Sequence, residues 1–595
     1  MKKRLLCLLI GAILLLTMFM TGCGASDASV EDIAADTSRE TQTLVVYLIS
    51  ESDVDPATEF AVEEAINNLT KSKFKTQLDL RFFSEAEYYT ELEATLKAKE
   101  KEIKAVEKVA KDKKKYEKWL RESCKQAGIA YVPATTPKVE TVITEEATLV
   151  DEEYGIIRYV YPDPEPNQVD IFYVGGYNKY KEYEENEWLA KLNEQIDTSS
   201  KKLKEHIPTI YLSNIRDDGI YGIPTNSAIG EYTWMLLNKE LMTTYCHLEQ
   251  EIDYLIDGDA KMDEDLYNFL KDAYVNESDS YVTVYSEEEL EPANIYYWTM
   301  DSETLRLTNG KSVIGCDYTE VNDKGNPIFA TNLYGRTKYT NQLKMIKRFE
   351  LEGFLATDED KAAVESGEKP FAMGIIKGGY DVYNEYSDEY YVKVVSRPRA
   401  GEDDIYSDMW CVNALEENVS RTMEIVTYIN TQSEPRNIIQ YGVEDENYYI
   451  EGGVLYRYNN SYMMDVSKTG NVFMAHPEEG LSADFWDQWV KQNESAKSYP
   501  TFGFRVTWDD NPDTERIVAL EELYNYYYDQ YKACASIEEL DELFVQAKNE
   551  INSNEDYKYV TNQEYVAEKG HEKDPVPLMK VYYDWLVIKY GYGTS

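Results

Sequence analysis

Three segments near the N-terminus constrain the fold of this chain more than any other feature. Thr43 to Ile49 (TLVVYLI) and Leu78 to Phe83 (LDLRFF) are short apolar runs with β-branched or aromatic residues, which is typical of buried strands. Between them, Asp55 to Leu69 carries apolar residues at helical spacing. A strand, a helix and a second strand in this order predict a parallel sheet covered by helices, so the predicted fold class is α/β.

The first 22 residues differ from this unit in composition. Lys2, Lys3 and Arg4 precede an apolar run from Leu5 to Met20, which is shorter than the roughly 20 residues that a membrane-spanning helix needs. A basic start, a short apolar core and a small-residue exit predict a secretory signal peptide over residues 1–22.

A second pattern surrounds Cys23, at the end of the predicted signal. Met20-Thr21-Gly22-Cys23 resembles the bacterial lipobox, in which the cysteine receives a diacylglyceryl group and becomes the mature N-terminus. Two acyl chains are enough for stable anchoring to a membrane. Residues 23–41 are mostly small, polar or acidic, so we predict a flexible tether there. The alternatives are an ordinary signal peptide and an uncleaved anchor helix.

The composition excludes several classes of function. The chain has 595 residues and a formal charge of −49, which disfavours nucleic acid as a partner. Of the seven cysteines, Cys7 leaves with the signal and Cys23 is the lipidation site, and the other five are widely spaced without a CxxC pair. The four histidines are not at metal-ligand spacing. We therefore predict no cofactor, no metal site and no disulfide framework.

Two segments interrupt the α/β pattern between the second and third predicted strands. From Lys97 to Lys125 there are twelve Lys or Arg and six Asp or Glu, a local charge of +6 in an acidic chain. A thin apolar stripe at helical spacing predicts a long, solvent-exposed helix within an insertion at about residues 91–127. Contact with anionic lipid or wall polymer is the functional alternative. A β-rich insertion is predicted at about residues 133–166.

Four segments further along resemble a known family when they are taken in order. Val169 to Tyr177 (VDIFYVGGY) is a strand that ends in a glycine turn. Tyr221-Gly222-Ile223-Pro224 and Asn238-Lys239-Glu240-Leu241 come next, and then Tyr428 to Tyr449 (YINTQSEPRNIIQYGVEDENYY). Behind a lipobox, this series is similar to that of the family 1 extracellular solute-binding proteins of bacterial ABC importers. The two insertions and the last 45 residues depart from the family pattern.

The resemblance implies a two-lobed, periplasmic-binding-protein-like fold of type II, in which each lobe is a mixed sheet flanked by helices. Lobe 1 would comprise residues 42–230 and a return segment at 396–450, and lobe 2 would comprise residues 231–395 and a C-terminal helical part at 451–595. Hinge strands would join the lobes around a ligand cleft. The implied function is capture of a carbohydrate, with an oligosaccharide favoured, by a monomer on the extracellular side of the cell membrane that delivers it to an ABC permease.

Candidate ligand-binding residues are selected from strand ends, from the resemblance and from aromatic chemistry. Parallel sheets place ligands at the carboxyl ends of their strands. Aromatic planes cover the C–H faces of a sugar and carboxylates hold its hydroxyls, and the chain has 52 tyrosines. The selected residues are Ser50, Glu51, Tyr177, Glu231, Tyr232, Trp234, Tyr380 and Trp410. For each of them, core packing or a solvated surface position is the alternative.

Other ligands and functions are alternatives to this interpretation. Lys377 and Arg436 are the charges near these loops that could hold an anionic ligand, and Trp298 is a further aromatic candidate for which a core position is favoured. An enzyme is not predicted, because the sequence lacks GxSxG, HExxH and Walker A motifs, although residue type alone does not exclude a glycoside hydrolase pair.

Two further alternatives concern a calcium ion and the role of the fold. Asp509 to Glu515 offers alternating oxygens but lacks the glycine and the final glutamate of an EF-hand loop, so an acidic turn is favoured over a calcium site. Binding of peptides or another small polar solute, and an adhesin or sensor role on the same fold, stay open because a fold alone does not give a function.

Overall fold

The chain is described by a computed structural model over residues 39–126, 148–151, 156–214, 219–246, 260–291, 297–302, 305–308, 310–317, 331–416, 418–498, 513–567 and 576–590. The predicted signal peptide, Cys23 and Asp509 lie outside these residues. Within them, no helix combines the length and the apolar character that crossing a membrane requires. The same residues contain no group of three or more His, Cys, Asp or Glu that could hold a metal ion. Cys411 and Cys534 carry free thiols.

Strands and helices alternate along most of the described chain. The strands are β1 (Gln42–Ile49), β2 (Thr76–Phe83), β3 (Thr148–Asp151), β4 (Ile156–Tyr159), β5 (Ile171–Gly175), β6 (Ile223–Pro224), β7 (Tyr232–Asn238), β8 (Val282–Ser286), β9 (Tyr297–Asp301), β10 (Arg306–Thr308), β11 (Ile314–Asp317), β12 (Thr331–Asn332), β13 (Phe371–Gly378), β14 (Tyr390–Ser396), β15 (Arg399–Ala400), β16 (Asp408–Val412), β17 (Tyr448–Glu451), β18 (Val454–Arg457) and β19 (Lys497–Ser498). The helices are α1 (Pro56–Phe74), α2 (Glu85–Gln126), α3 (Tyr177–Glu185), α4 (Asn193–Asp197), α5 (Lys201–Glu205), α6 (Thr209–Asn214), α7 (Lys239–Tyr245), α8 (Ala260–Glu277), α9 (Thr337–Leu351), α10 (Asp358–Glu365), α11 (Tyr380–Tyr386), α12 (Glu402–Ile405), α13 (Val419–Thr431), α14 (Ser433–Tyr441), α15 (Phe485–Ser495), α16 (Thr514–Ala533), α17 (Ile537–Ser553), α18 (Glu555–Val560) and α19 (Leu578–Tyr590).

The predicted strand-helix-strand unit is confirmed and begins the sheet of the first lobe. β1 pairs in parallel with β2, with Val46 opposite Leu80. Helix α1 begins after Asp55, whose side chain accepts hydrogen bonds from the N–H groups of Ala57 and Thr58. The full order of the sheet is β2-β1-β5-β16-β6, and β16 runs antiparallel to β5 and β6. The sheet is therefore mixed.

The second lobe contains two four-stranded sheets and a separate core. The strand orders are β14-β7-β13-β8 and β10-β9-β11-β12. β7 is antiparallel to β13 and β14, whereas β13 is parallel to β8. The C-terminal helices contribute Leu520, Phe544 and Met579 to this second core, which is distinct from the core of the first lobe. Two lobes, each containing a mixed sheet flanked by helices, confirm the predicted fold class.

The boundary between the lobes differs from the predicted one after residue 450. The sequence predicts residues 451–595 in lobe 2, but the part up to Met474 packs on the first lobe. Tyr462 and Met464 lie in the first core. Arg436 of α14 donates hydrogen bonds to three backbone carbonyls of the same part. Buried apolar surface and these hydrogen bonds hold the part on lobe 1.

Both predicted insertions have regular structure among the described residues. Helix α2 is 42 residues long and begins directly after β2, earlier than the predicted boundary at about residue 91. Its first turns pack Tyr88, Leu92 and Leu96 into the first core. β3 and β4 pair as an antiparallel hairpin, with Leu149 opposite Arg158, inside the predicted β-rich insertion.

Candidate ligand-binding site

Three described segments connect the lobes, and they meet at one place. Residues 225–231 join β6 to β7, residues 397–401 follow β14, and residues 485–498 form α15 and β19. β15 pairs in parallel with β19, and the N–H of Lys497 donates to the carbonyl of Pro398 at 2.8 Å. Segments that cross between lobes and hydrogen-bond to each other form a hinge about which the lobes can rotate.

Helix α15 is tied to the hinge segment 225–231 by one amide side chain. The Oδ1 atom of Asn493 accepts a hydrogen bond from the N–H of Ile229 at 2.8 Å. Its Nδ2 atom donates to the carbonyl of Ser227 at 3.1 Å. Because Asn493 and Ile229 are both buried, these bonds satisfy backbone groups that water does not reach.

Gly230 lets two hinge segments approach each other closely. Its φ angle is +60°, in the left-handed region, and a Cβ atom there would lie 2.6 Å from the carbonyl oxygen of Arg399. The amide of Gln492 donates to the carbonyl of Gly230. A side chain at this position would therefore strain the backbone and push the segments apart.

The sheet of the first lobe presents a polar edge where β1, β2, β5 and β6 end and β16 begins. Asp408, the first residue of β16, lies opposite Gly175, the last residue of β5. Its Oδ1 accepts from the hydroxyl of Tyr173 at 2.5 Å, and its Oδ2 accepts from the hydroxyl of Ser227 at 3.0 Å. Burial, followed by the charge of Asp408, raises the pKa of Tyr173, so the phenol stays protonated and remains a donor.

The predicted first-lobe residues lie on this edge with different exposures. Ser50 follows β1 and is buried, and its hydroxyl donates to the carbonyl of Ser52 at 2.7 Å. Glu51 is exposed, and Tyr177 is half-buried with its ring 5.4 Å from that of Tyr406. Glu51 and Tyr177 thus offer surface at the edge, whereas the Ser50 hydroxyl is bonded within the loop.

An aromatic cluster marks the edge of the second lobe at the other end of hinge segment 225–231. The rings of Tyr232 and Trp234 are 4.6 Å apart, and Tyr380 meets them edge-on at 5.5 and 5.8 Å. Tyr383 extends the cluster, with its ring 6.1 Å from that of Tyr380, and is 42% exposed. The structure thus brings three of the predicted aromatic residues together, and Tyr380 and Tyr383 carry their accessible surface.

Within this cluster, Trp234 and Tyr232 are the members that hydrogen-bond to neighbouring segments. Trp234 is 2% exposed, and its indole N–H donates to the carbonyls of Gly378 and Gly379, each at 3.1 Å. The hydroxyl of Tyr232 is hydrogen-bonded to that of Ser495 on α15. Burial raises the pKa of Tyr232. The two side chains fix the turn that precedes Tyr380 and connect it to the hinge helix.

Three other candidates lie in the protein interior. Trp410 is 1% exposed, and its indole N–H donates to the carbonyl of Lys468 at 3.0 Å. Arg436 is fully buried among backbone carbonyls, and burial lowers the pKa of its guanidinium to about 10. Trp298 is buried in β9, the core position that the sequence favours. In this conformation Trp410 and Arg436 present no surface to a ligand, because packing and backbone hydrogen bonds engage them.

The charged groups at the two edges are mainly carboxylates. Glu231 is exposed at the start of β7. Lys377 is ion-paired with Glu288 at 2.5 Å, and Lys468 is ion-paired with Glu85 at 3.0 Å. The Nζ atom of Lys491 lies 5.7 Å from the centre of the Tyr380 ring, so a cation also lies beside the aromatic cluster.

Sequence reasoning missed Asp408, Ser227, Tyr383 and Asn493. A repeated signal points to the turns beside them, because a Gly-Gly-Tyr triplet begins at the last residue of β5 (Gly175-Gly176-Tyr177) and at the last residue of β13 (Gly378-Gly379-Tyr380). In each lobe the triplet joins a central strand to a helix at the edge of the sheet. The same local turn therefore forms part of both edges.

A cavity of 840 Å³ lies beside the hinge. Its lining comes from residues 205–210 and 473–474 of the first lobe, from α15, and from β19 with the adjoining Ala496. Asn493 contributes to this lining as well as to the hinge bonds. The cavity is bounded by the first lobe and α15. The polar edge and the aromatic cluster, in contrast, belong to two different lobes.

No family model and no curated protein matches the chain. Among solved structures, the N-glycan transport solute binding protein (NgtS) from Streptococcus pneumoniae aligns at 14% identity over 92% of this chain and 99% of its own, with a TM-score of 0.48. An extracellular solute-binding protein of family 1 from Alicyclobacillus acidocaldarius aligns at 11% identity over 86% and 98%, with a TM-score of 0.35. An extracellular solute-binding protein from Staphylococcus aureus, solved with maltose, aligns at 12% identity over 86% and 99%, with a TM-score of 0.34. All three are solute-binding proteins, the class that the sequence motifs resemble.

Proposed function

We propose that this chain is a lipid-anchored extracellular solute-binding protein that captures a carbohydrate between its two lobes and delivers it to an ABC permease. The observation that carries the proposal is that the polar edge of the first lobe and the aromatic cluster of the second lobe lie at the two ends of one hinge segment, 225–231. Ser227, near one end of segment 225–231, belongs to the Asp408 network, and Tyr232, just after the other end, belongs to the aromatic cluster. Rotation about this segment changes the separation of the two edges.

The chemistry of the edges suits a sugar. Tyr380 and Tyr383 supply flat apolar faces for the C–H surface of a pyranose ring. Glu51, Glu231 and the Asp408 network supply acceptors for hydroxyl groups. Closure removes water from these hydrogen bonds and strengthens them. The ligand thus stabilises the closed conformation over the open one, and binding needs no covalent step.

Two features favour this ligand class over the alternatives. Lys377 and Lys468 are ion-paired, and the exposed carboxylates of Glu51 and Glu231 would repel a polyanion at the two edges. An oligosaccharide suits two edges better than a single small solute does, because each lobe contributes its own turn. We propose that the protein acts as a monomer, held near its permease by diacylglyceryl on Cys23. A peptide-binding receptor or an adhesin on the same fold is the second candidate.

Thermal melting of the chain from residue 24 onward tests the proposal. The probes are mono- and oligosaccharides, peptides and polyols, because a ligand of the folded state raises the melting temperature with its occupancy. We expect a shift with one sugar family that Tyr380→Ala and Tyr383→Ala each reduce. The matched control is Tyr458→Ala, which removes an exposed tyrosine directly after β18. A shift with peptides alone would show that the ligand is a peptide and not a sugar. The absence of a shift with every probe would overturn capture of a small solute.

A further inference from the structure

The first part of α2 is a fixed element of the first lobe that runs against the direction of β1. The hydroxyl of Tyr88 bonds to the carbonyl of Tyr173 near the end of β5. Further along, Thr95 bonds to Tyr47 at 3.0 Å. The carboxylate of Glu102 accepts from the side chain of Asn167, which precedes β5. The helix thus passes from the ligand-binding edge of the sheet to the opposite edge.

Beyond this point the helix leaves the domain. Every residue from Lys104 to Tyr116 is exposed. The projecting half of α2, residues 103–126, extends for about 35 Å at the rise of an α-helix. The large apolar side chains that it exposes include Val106, Val109, Tyr116 and Trp119, which are between 58% and 70% exposed. The rings of Tyr116 and Trp119 are stacked 5.7 Å apart.

The projecting half is amphipathic and basic. Lys104, Lys108, Lys111, Lys115 and Lys118 recur at intervals of four and three residues, so they share one face. By the same spacing, Val106, Val109 and Tyr116 lie toward the opposite face together with Lys113, and Trp119 lies between the two faces. From Lys104 to Lys125 there are nine Lys or Arg against four Asp or Glu, in a chain with a formal charge of −49. Such a helix suits the interface of a bilayer.

The helix projects on the side from which the proposed anchor arrives. The side chain of Gln168 donates to the carbonyl of Thr43, so Asn167 and Gln168 lie at the edge of the sheet where the chain enters β1. Glu102 of α2 is bonded to Asn167, so α2 passes this same edge. Fifteen residues, 24–38, separate Cys23 from the described chain at this edge. This step rests on the proposed lipid anchor. The anchor would therefore hold the projecting half within reach of the membrane.

We propose that the projecting half of α2 docks on an anionic lipid surface, with its lysines at the headgroups and Tyr116 and Trp119 at the interface. Lysine stems can extend toward headgroup phosphates while the apolar face enters the interface. Tyr and Trp are the residues that membrane interfaces favour. The acidic body does not prevent this contact, because charges more than about 10 Å away are screened at physiological salt. The docked helix would set the orientation of the lobes over the permease.

Vesicle flotation with the chain from residue 24 onward, which carries no lipid, tests the proposal apart from the anchor. The probes are phosphatidylcholine vesicles with and without phosphatidylglycerol. We expect binding only to the anionic vesicles and release at about 1 M salt, where the screening length is about 3 Å. Lys108→Glu, Lys111→Glu and Lys115→Glu combined should weaken binding by at least about 100-fold, at roughly fivefold per lysine. Trp119→Ser should weaken it while leaving the preference for anionic lipid.

A matched charge control removes the effect of net charge. Lys201→Glu, Lys202→Glu and Lys271→Glu combined change three exposed lysines elsewhere and should leave vesicle binding intact. Both triple variants should keep the wild-type melting temperature. Equal loss in the two variants, equal binding to neutral vesicles, or binding to a polyglycerol phosphate polymer without binding to vesicles would each overturn the lipid proposal. Sugar-induced melting shifts, measured on the same samples, report the proposed function separately.

Discussion

Asn493 on α15 accepts the backbone N–H of Ile229 at 2.8 Å, and this bond joins the hinge helix to the strand connection that leads into the second lobe. Both residues are buried. A side chain in the third crossing segment therefore satisfies the backbone of the first. The hinge is consequently a bonded unit rather than three independent linkers, and its stability depends on α15.

Replacing Asn493 with alanine should destabilise the folded protein by about 1–3 kcal/mol. The buried N–H of Ile229 loses its acceptor, and leaving a buried donor unsatisfied costs that much. The measurement is the urea midpoint at unchanged slope. Asn276→Ala is the control, since that exposed amide bonds only within its own helix turn and should change stability by less than about 0.5 kcal/mol. Similar losses in both variants would contradict the role of Asn493.

Gly230→Ala should cost more free energy of unfolding than Gly452→Ala. The two glycines have nearly the same φ angle, +60° and +62°, so both substitutions place an L-residue in the left-handed region. Only at Gly230 would the new Cβ meet a backbone atom, the carbonyl oxygen of Arg399, because Gly452 has open space around it. Urea unfolding of both variants isolates the contact between hinge segments. Equal costs would show that the segments separate without penalty.

Trp234→Phe should lower both stability and the proposed carbohydrate affinity. The indole N–H is the donor to the carbonyls of Gly378 and Gly379, and its loss should cost about 1–2 kcal/mol. The turn that carries Tyr380 would loosen as a result. Trp119→Phe, at an exposed position on α2, is the control and should change neither quantity. Calorimetric titration with the sugar that gives a melting shift, together with urea unfolding, measures both effects, and full affinity in Trp234→Phe would contradict a supporting role.

The sequence predicts the elements well where a local pattern decides the structure. The parallel pairing of β1 with β2 follows from two short apolar runs separated by a stretch with helical spacing, over some forty residues. Tyr380 is selected by the rule for strand ends, and Tyr232 and Trp234 by the resemblance. Neither required knowledge of distant contacts.

The sequence fails where burial is decided by distant partners. Met409, Trp410 and Cys411 are all buried because helices cover both faces of the sheet, so alternation along β16 gives no sign of a ligand-facing side. Arg436 is buried by carbonyls about thirty residues further along the chain. Asp408 is the first residue of an antiparallel strand, so the rule that ligands bind at the carboxyl ends of parallel strands does not select it.

Asp170→Asn should change the pH dependence of stability. Burial raises the pKa of Asp170 to about 7, although its carboxylate accepts from Val45 and Gln168. The folded protein therefore keeps a proton that the unfolded chain releases near pH 4, and the stability of the wild type falls as pH rises from about 4 to about 7. The total is up to about 4 kcal/mol at 1.4 kcal/mol per pH unit. Asparagine does not titrate, so the urea midpoint of the variant, relative to that of the wild type, should rise as pH increases from about 4 to about 7. A constant difference would contradict the raised pKa.

Cys23→Ala should release the protein from the membrane fraction of cells. The proposed diacylglyceryl group supplies two acyl chains, which are enough for stable anchoring, and alanine cannot be acylated. Cys7→Ala is the matched control, because Cys7 lies in the predicted signal segment and its loss should leave anchoring intact. Fractionation with a wash at about 1 M salt removes protein held only by the charges of α2. Mass spectrometry of the N-terminal peptide should find lipid on Cys23. Quantitative retention of Cys23→Ala after that wash would contradict the anchor.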